Sequence, residues 1–149
     1  MHDITVEILL VKDNPNDVKL ALYAFKTNNL ANCVQVVRDG AEALEFLFCT
    51  GRYAHRDIAK SPKVVLLDLK LPLVDGIEVL RQIKADPRTK TIPVVIMTTS
   101  KEEPDIAGCY ALGVNSYIVK PVDFDQFTDV VKRLGCYWLL LNQPRLPLK

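Results

Sequence analysis

Residues 64–68 read Val-Val-Leu-Leu-Asp, and this stretch decides the fold. Four apolar residues in a row fit a strand that is buried on both faces. A strand is covered on both faces where helices flank a parallel sheet, so the stretch predicts the centre of an α/β sheet. The run ends on Asp68, which puts a carboxylate at the carboxyl end of that strand.

Outward from this strand, short apolar runs alternate with helical patterns. Right-handed crossovers of this length make the strands parallel and place helices on both faces, with the functional site at the carboxyl ends of the strands. The expected class is α/β, a doubly wound parallel sheet of five strands with five helices. The other predicted strands are residues 6–11, 33–37, 92–97 and 116–119, and the predicted helices are 18–25, 41–49, 77–84, 103–112 and about 123–141.

The composition is that of one soluble domain. The chain has 149 residues, a hydrophobic fraction of 49% and a net charge of +1, which gives no field to attract nucleic acid or an anionic membrane. No apolar run reaches the ~20 residues of a membrane helix, and the N-terminus lacks a signal-peptide pattern. We therefore expect a cytoplasmic protein whose four cysteines are free thiols. They are Cys33, Cys49, Cys109 and Cys136.

Polar residues end four of the predicted strands and are expected to meet at one edge of the sheet. They are Asp13, Asp68, Thr98 and Lys120. Two adjacent carboxylates repel each other unless a divalent cation lies between them, and Mg²⁺ takes hard oxygen ligands. A carboxylate can also accept a phosphoryl group, whose charge Mg²⁺, an ammonium and a hydroxyl would neutralise. Each residue alone fits a helix cap, a turn or solvated surface, but the combination in this order predicts a site.

The sequence resembles the receiver domain of two-component response regulators, the fold of the chemotaxis regulator, over residues 8–134. The segments that carry the resemblance are ILLVKDN at 8–14, VLLDLKLP at 65–72 with Asp75-Gly76, PVVIMTT at 93–99 and YIVKP at 117–121. It implies a flavodoxin-like sheet of order 2-1-3-4-5 and a receiver domain over residues 1–134. The loop at 53–61, the segment 84–87 and the apolar C-terminus resemble the stand-alone regulators paired with cyanobacterial phytochrome histidine kinases.

The resemblance assigns the phosphoryl chemistry to four residues. Asp68 is the phosphoacceptor, and Lys120 pairs first with its carboxylate and then with the phosphoryl group. Asp13, Asp68 and the backbone carbonyl of Lys70 are the Mg²⁺ ligands. The peptide bond from Lys120 to Pro121 is cis in the family.

The resemblance also implies a conformational switch. Thr98 is the hydroxyl that moves to the phosphoryl oxygen, and Tyr117 is the aromatic side chain that turns inward when Thr98 moves. A half-buried strand aromatic is the alternative role for Tyr117. Lys70 and Ser100 flank the site and are expected to tune hydrolysis of the phosphoryl group.

Lys12 departs from the family pattern. The family carries two adjacent acids at the end of the first strand, where this chain has Lys12-Asp13. The exchange alters the local charge by two units, so Mg²⁺ affinity is expected to fall. Either the ammonium pairs with Asp68 and partly replaces the metal, or Lys12 points away and Asp13 and Asp68 still hold Mg²⁺. An engineered or erroneous residue is a third explanation.

Residues 135–149 form an apolar extension of the last helix and a tail. Its apolar residues cover the helix all round, so another surface must bury some of them. We expect a symmetric homodimer through this segment, with folding back onto its own domain as the alternative. The predicted dimer contacts are Tyr137, Trp138, Leu139 and Leu140. The expected partner is a sensor histidine kinase, of the phytochrome type, and output is expected through protein contacts.

Two other functions lack their signatures. A haloacid-dehalogenase-like phosphatase needs a second acid two residues after the nucleophile, where this chain has Lys70. A flavodoxin-like carrier needs a Ser/Thr/Gly-rich phosphate loop after the first strand, which Lys12-Asp13-Asn14-Pro15 is not. We therefore expect no enzyme beyond self-catalysed phosphoryl transfer. A pseudo-receiver that has lost phosphorylation because of Lys12 is the alternative.

Overall fold

The computed structural model describes residues 6–27, 29–30, 33–120 and 124–143, without the side chains of residues 124 and 140. Over these residues, five strands alternate with five helices. Strands β1 to β5 are Ile8–Val11, Val34–Val37, Val64–Leu67, Val94–Thr98 and Ser116–Val119. Helices α1 to α5 are Pro15–Thr27, Gly40–Phe48, Gly76–Ala85, Glu103–Ala111 and Phe124–Cys136. A 3-10 helix, Gly51–Tyr53, follows α2, and a π-helical turn, Tyr137–Leu141, continues α5.

The strands form one parallel sheet of order β2-β1-β3-β4-β5, which confirms the predicted fold class. β3 lies at the centre, and its four residues are at most 2% exposed. The side chains of alternate strand residues pack into two separate cores, one on each face of the sheet. One core lies under α2, α3 and α4, and the other under α1 and α5. The apolar run in β3 therefore reflects two covered faces.

Side-chain caps start three of the helices near the carboxyl edge of the sheet. The Asn14 Oδ1 atom accepts from the Asn16 amide at 2.9 Å, ahead of Pro15 in the first turn of α1. Asp39 accepts from the Glu42 amide at 2.7 Å, and Asp75 accepts from the Glu78 amide at 3.1 Å. The caps satisfy backbone donors that a helix start leaves free, and they fix where the loops after the strands end.

Lys84 joins α3 to the amino edge of the sheet. Its ammonium donates to the Lys90 carbonyl at 3.0 Å, to the Ile92 carbonyl at 2.9 Å and to Asn115 Oδ1 at 3.1 Å. Asn115 Oδ1 also accepts from the Val94 amide at 2.9 Å. Burial lowers the pKa of Lys84 to about 8. One side chain thus holds α3 against the entries to β4 and β5.

The loop between α2 and β3 is fixed by Arg56. Its guanidinium lies 3.7 Å from the centre of the Phe46 ring and donates to the Phe46 carbonyl and, at 3.1 Å, to the Lys60 carbonyl. Tyr53 donates to Glu42 Oε2 at 2.6 Å, and the pKa of Tyr53 is raised to about 12 by burial and by that carboxylate. The long loop predicted from the sequence is therefore an ordered cover over α2.

The C-terminal segment folds partly onto its own domain. Leu139 is 7% exposed and packs in the core under α1 and α5, so it is buried within this chain and is not an exposed dimer contact. Trp138 is half-buried beside it, whereas Tyr137 and Leu141 are 49% and 76% exposed. The side chain of Leu140 lies outside the description. Folding back, the alternative to a dimer, thus accounts for part of the apolar segment.

Two expectations from composition can be compared with the structure. Cys33, Cys49, Cys109 and Cys136 are all free thiols, as expected. Among the residues described, no helix combines the length and apolarity needed to cross a membrane.

Candidate functional site

The sheet register puts Lys12 beside Asp68 at the carboxyl edge. Val11 of β1 pairs with Leu67 of β3, and the Asp68 amide donates to the Val11 carbonyl at 3.1 Å. Lys12 and Asp68 are the next residues of these two neighbouring strands. Because parallel strands run about 4.8 Å apart, the two side chains are within reach of each other.

The Lys12 ammonium is buried and faces Asp68. The Lys12 side chain is 2% exposed, and its Nζ atom lies 3.8 Å from Asp68 Oδ2 and donates to the Met97 carbonyl at 3.3 Å. Burial lowers the pKa of Lys12, while the Asp68 and Asp17 carboxylates oppose that shift. At this separation the gross attraction is about 4 kcal/mol for an effective dielectric constant of about 20, before lost hydration is subtracted. Of the arrangements that the sequence left open, the structure has Lys12 paired with Asp68.

Lys120 has a different partner from the one predicted. The resemblance implies an ion pair between Lys120 and Asp68, but in the described part of the chain the ammonium of Lys120 contacts the Asp17 carboxylate. Asp17 lies in the first turn of α1 and is 8% exposed. Because the Lys12 ammonium already faces Asp68, the carboxylate left for Lys120 is Asp17. The bond to Pro121, predicted to be cis, lies outside the described residues.

The two predicted switch residues meet at Ser100. Thr98, at the end of β4, is 2% exposed, and its hydroxyl accepts from the Ser100 amide at 3.4 Å. Tyr117 of β5 is half-buried, and its hydroxyl donates to the Ser100 carbonyl at 3.0 Å. The Ser100 hydroxyl donates to Asp105 Oδ2 at 2.6 Å, in the first turn of α4. The β4–α4 loop therefore connects Thr98 to Tyr117 through one residue.

An open cavity of about 540 Å³ lies at the carboxyl edge and is lined by Leu69 and Lys70, which follow Asp68 in the chain. Its walls include Asp13, Lys70 and Ser100, three of the residues predicted from the sequence, together with Asp75 and Asp105. Asp13 is exposed, whereas the Asp68 side chain keeps 18% of its surface accessible. A small phosphodonor therefore has space beside the carboxyl ends of β1 and β3.

Gly76 holds the start of α3 against Asp68. Its amide donates to the Leu69 carbonyl at 2.7 Å, and a Cβ atom built on Gly76 would lie 2.1 Å from the Asp68 carbonyl oxygen. No side chain fits at that separation without moving the backbone of Asp68. The position of the phosphoacceptor candidate is thus tied to the first turn of α3.

The residues present do not fit a tightly bound divalent metal ion. Within the described ranges, no three His, Cys, Asp or Glu side chains cluster closely enough to hold one. Asp13 and Asp68 supply two carboxylates, but the Lys12 ammonium stands 3.8 Å from one oxygen of Asp68. Divalent ions are held by several hard oxygen ligands, and a buried positive charge at that distance repels them.

Sequence reasoning missed two of the groups that hold the lysines, the Asp17 carboxylate beside Lys120 and the Met97 carbonyl beside Lys12. The sequence signal for Asp17 is its position in the first turn of α1, directly after the carboxyl end of β1. The Met97 carbonyl, which accepts from Lys12, carries no sequence signal at all, because every residue has a carbonyl.

Comparison with known families identifies the arrangement. The model of the response regulator receiver domain matches residues 8–132. The chain belongs to the response regulator receiver family. Its order of strands and the carboxylate at the end of β3 agree with the receiver resemblance found in the sequence.

Two curated relatives match this receiver over most of their length. Response regulator Rcp1 of Synechocystis sp. (strain ATCC 27184 / PCC 6803 / Kazusa) is 39% identical over 132 residues, which cover 89% of this chain and 88% of Rcp1. The probable methanogenesis regulatory protein FilR2 of Methanothrix harundinacea (strain 6Ac) is 41% identical over 137 residues, which cover 91% of this chain and 85% of FilR2. FilR2 is named as a probable regulator of methanogenesis, and Rcp1 as a response regulator.

Solved structures of phytochrome response regulators are also similar to this receiver. The phosphorylated cyanobacterial phytochrome response regulator RcpA has a TM-score of 0.86 and 41% identity, covering 93% of this chain and 97% of RcpA. The Mn²⁺-bound form of Rcp1 has a TM-score of 0.86 and 36% identity, covering 94% of this chain and 99% of Rcp1. One relative was thus obtained with phosphate attached and the other with a divalent metal ion.

Proposed function

We propose that this receiver accepts a phosphoryl group from a histidine kinase on Asp68. The observation that carries the proposal is the position of Asp68, which ends the central strand with 18% of its side chain accessible and a buried ammonium 3.8 Å away. A carboxylate next to a fixed positive charge and an open cavity has the charge balance and the space that phosphoryl transfer requires.

The signal would leave the site through Thr98, Ser100 and Tyr117. A phosphoryl oxygen at Asp68 gives the buried Thr98 hydroxyl a stronger acceptor than it has in the resting state. When Thr98 moves, it withdraws from the Ser100 amide, and Ser100 also holds the Tyr117 hydroxyl through its carbonyl. Tyr117 then turns and changes the surface formed by α4 and β5, which is the output of the switch. Lys70 and Ser100 border the cavity at Asp68 and would tune hydrolysis of the phosphoryl group.

The partner would be a sensor histidine kinase of the phytochrome type in the cytoplasm. The support for this choice is the similarity to RcpA and Rcp1, with identities of 41% and 36% over almost the whole chain. Signalling would then proceed by protein contacts, without a catalytic output of its own and without binding to nucleic acid or a membrane.

Mg²⁺ would bind weakly in this chain. Its expected ligands are Asp13, Asp68 and the Lys70 carbonyl, and the Lys12 ammonium opposes them. Replacing Lys12 by Glu removes the repulsion and supplies a further carboxylate, so Lys12→Glu should bind Mg²⁺ more tightly than the natural sequence.

A test of the phosphoacceptor uses intact-mass measurement after incubation with acetyl phosphate and excess Mg²⁺. The natural chain should gain the mass of one phosphoryl group, and Asp68→Asn should gain none. Asp57→Asn, an exposed aspartate in the loop after α2, is the matched control and should behave as the natural chain. A natural chain that never gains mass, or an Asp68→Asn variant that still does, would exclude Asp68 as the acceptor.

A second candidate function is an interaction module that is not phosphorylated. The buried ion pair between Lys12 and Asp68 favours it, because a permanently neutralised carboxylate is a weaker nucleophile. In this case the natural chain stays unmodified with acetyl phosphate at every Mg²⁺ concentration, and the resting surface of α4 and β5 is the active one.

A homodimer through the C-terminal segment is also proposed. Tyr137 and Trp138 stack edge to face at 5.0 Å and border a cavity of about 380 Å³ between β5 and α5. A second copy would cover the exposed side chains of Tyr137 and Leu141. Analytical ultracentrifugation should show a dimer that Tyr137→Ser with Leu141→Ser converts to a monomer; an unchanged mass would contradict this interface.

A further inference from the structure

The position of Lys12 has a consequence for how Asp68 is phosphorylated. We propose that the Lys12 ammonium is the resident counter-cation of Asp68, so that phosphoryl uptake does not require a divalent metal ion. The inference rests on the proposed role of Asp68 as phosphoacceptor.

The ammonium is fixed at the acceptor. Lys12 directly follows the last residue of β1, and its backbone amide donates to the Val37 carbonyl at 3.1 Å. At the other end of the side chain, the ammonium donates to the Met97 carbonyl of β4 at 3.3 Å. Lys12 is thus bonded to β2 through its backbone and to β4 through its ammonium, which keeps its charge 3.8 Å from Asp68.

The charge balance favours an internal cation over an added one. Asp13 and Asp68 carry two negative charges, and Lys12 already neutralises one of them at the acceptor. The exposed Asp13 is left to water. The Lys12 ammonium would repel a divalent ion placed between the two carboxylates, whereas an acidic side chain at residue 12 would attract that ion.

The transfer balances without a metal ion. One oxygen of the Asp68 carboxylate attacks the phosphorus of acetyl phosphate, the bond from phosphorus to the bridging oxygen breaks, and the electron pair leaves with acetate. No proton is needed for that leaving group. The Lys12 ammonium donates an N–H group to an oxygen of the transferred phosphoryl, and Lys120 supplies a second positive charge after it leaves Asp17.

Phosphorylation in EDTA tests the proposal directly. The natural chain should gain one phosphoryl group in EDTA at a rate within about twofold of the rate in excess Mg²⁺. Lys12→Glu should depend on Mg²⁺ by at least about tenfold, because its three carboxylates need a cation. Lys12→Met lacks the ammonium, so its phosphorylation in EDTA should be slower than that of the natural chain. Lys90→Met, which removes an exposed lysine at the opposite edge, is the matched control and should keep the metal-independent reaction.

Metal binding gives a readout that does not depend on the reaction. Calorimetric titration with Mn²⁺ should show no binding to the natural chain at concentrations that saturate Lys12→Glu. Equal Mn²⁺ affinities of the natural chain and Lys12→Glu would overturn the proposal. Phosphorylation of the natural chain only with Mg²⁺ would also overturn it, although Asp68 would remain the proposed acceptor. If only Lys12→Glu is phosphorylated, Lys12 is an inhibitor and the inference is wrong. If no variant is phosphorylated, the proposed function itself fails.

Discussion

Two lysines, the buried Lys12 and the half-buried Lys84, lie at opposite edges of the sheet and are held in different ways. At the amino edge, all three donors of Lys84 are used by neutral oxygens of Lys90, Ile92 and Asn115. At the carboxyl edge, within the described residues, Lys12 donates to the single carbonyl of Met97 and faces the Asp68 carboxylate at 3.8 Å, beyond hydrogen-bond length. All three donors of Lys84 are in use, whereas Lys12 has donors available for the phosphoryl group that we propose Asp68 accepts.

This contrast separates stability from function. The hydrogen bonds of Lys84 join α3 to the starts of β4 and β5, so their loss should lower the free energy of unfolding. The contacts of Lys12 concern one partly accessible side chain, so their loss should be felt mainly in the chemistry at Asp68. Replacing each lysine by methionine tests whether Lys84 acts mainly on stability and Lys12 mainly on the chemistry at Asp68.

The largest expected effect is on the stability of Lys84→Met. The change leaves three acceptors without their shared donor, and we expect the free energy of unfolding to fall by about 3 kcal/mol. Urea denaturation followed by circular dichroism measures it. A loss below about 1 kcal/mol would mean that water replaces the ammonium, and Lys84 would then have no special structural role.

Lys12→Met should have a smaller effect on stability. Methionine fills the buried space of the aliphatic chain, and Asp68 can regain water, so we expect the free energy of unfolding to change by less than about 1 kcal/mol. The same urea experiment applies, run beside Lys84→Met. If Lys12→Met proves the more damaging change, the ion pair at the carboxyl edge is a structural element and the contrast fails.

Asp17→Asn should alter the rate of phosphorylation. The substitution frees the Lys120 ammonium from its carboxylate partner and lets it approach Asp68, so the rate with acetyl phosphate should rise by about threefold. Asp129→Asn is the matched control, because Asp129 pairs with Arg133 on the exposed face of α5 at 3.0 Å. A slower reaction in Asp17→Asn would indicate that Asp17 positions Lys120 for catalysis.

A further expected effect is a pH dependence of stability from Lys84. Its pKa is lowered to about 8 from 10.5, so between these values the unfolded chain binds more protons than the folded one. The contribution of Lys84 to stability should therefore rise as the pH rises through this window and fall as the pH falls through about 8. The difference in unfolding free energy between the natural chain and Lys84→Met should grow accordingly. A flat difference would mean that the hydrogen bonds keep the ammonium charged throughout.

The sheet could be predicted because its signals are local. The apolar run of β3 and the polar residue at its end are properties of a few adjacent residues, and the parallel topology follows from short crossovers. Those same signals placed Asp68, Thr98 and the ends of the other strands at one edge. They could not place the cations, because both lysines are long enough to reach more than one carboxylate.

The choice between the two lysines depends on register and burial. Lys12 reaches Asp68 because β1 and β3 are neighbours with Val11 opposite Leu67. Lys120 then pairs with Asp17, a helical residue whose direction depends on how α1 packs. Leu139 is another position that the sequence alone could not place. Its apolar side chain predicts burial, but only the packing of α5 decides whether its own core or a second copy covers it.

The close approach of Gly76 to Asp68 restricts which substitutions the loop after β3 tolerates. A Cβ atom at residue 76 would be 2.1 Å from the carbonyl oxygen of the acceptor residue itself. Leu73 in the same loop is 81% exposed and meets no such contact, but its φ of 68° favours Gly or Asn and strains β-branched residues there. A designer who varies this loop must therefore keep glycine at residue 76 and choose replacements at residue 73 that accept a positive φ.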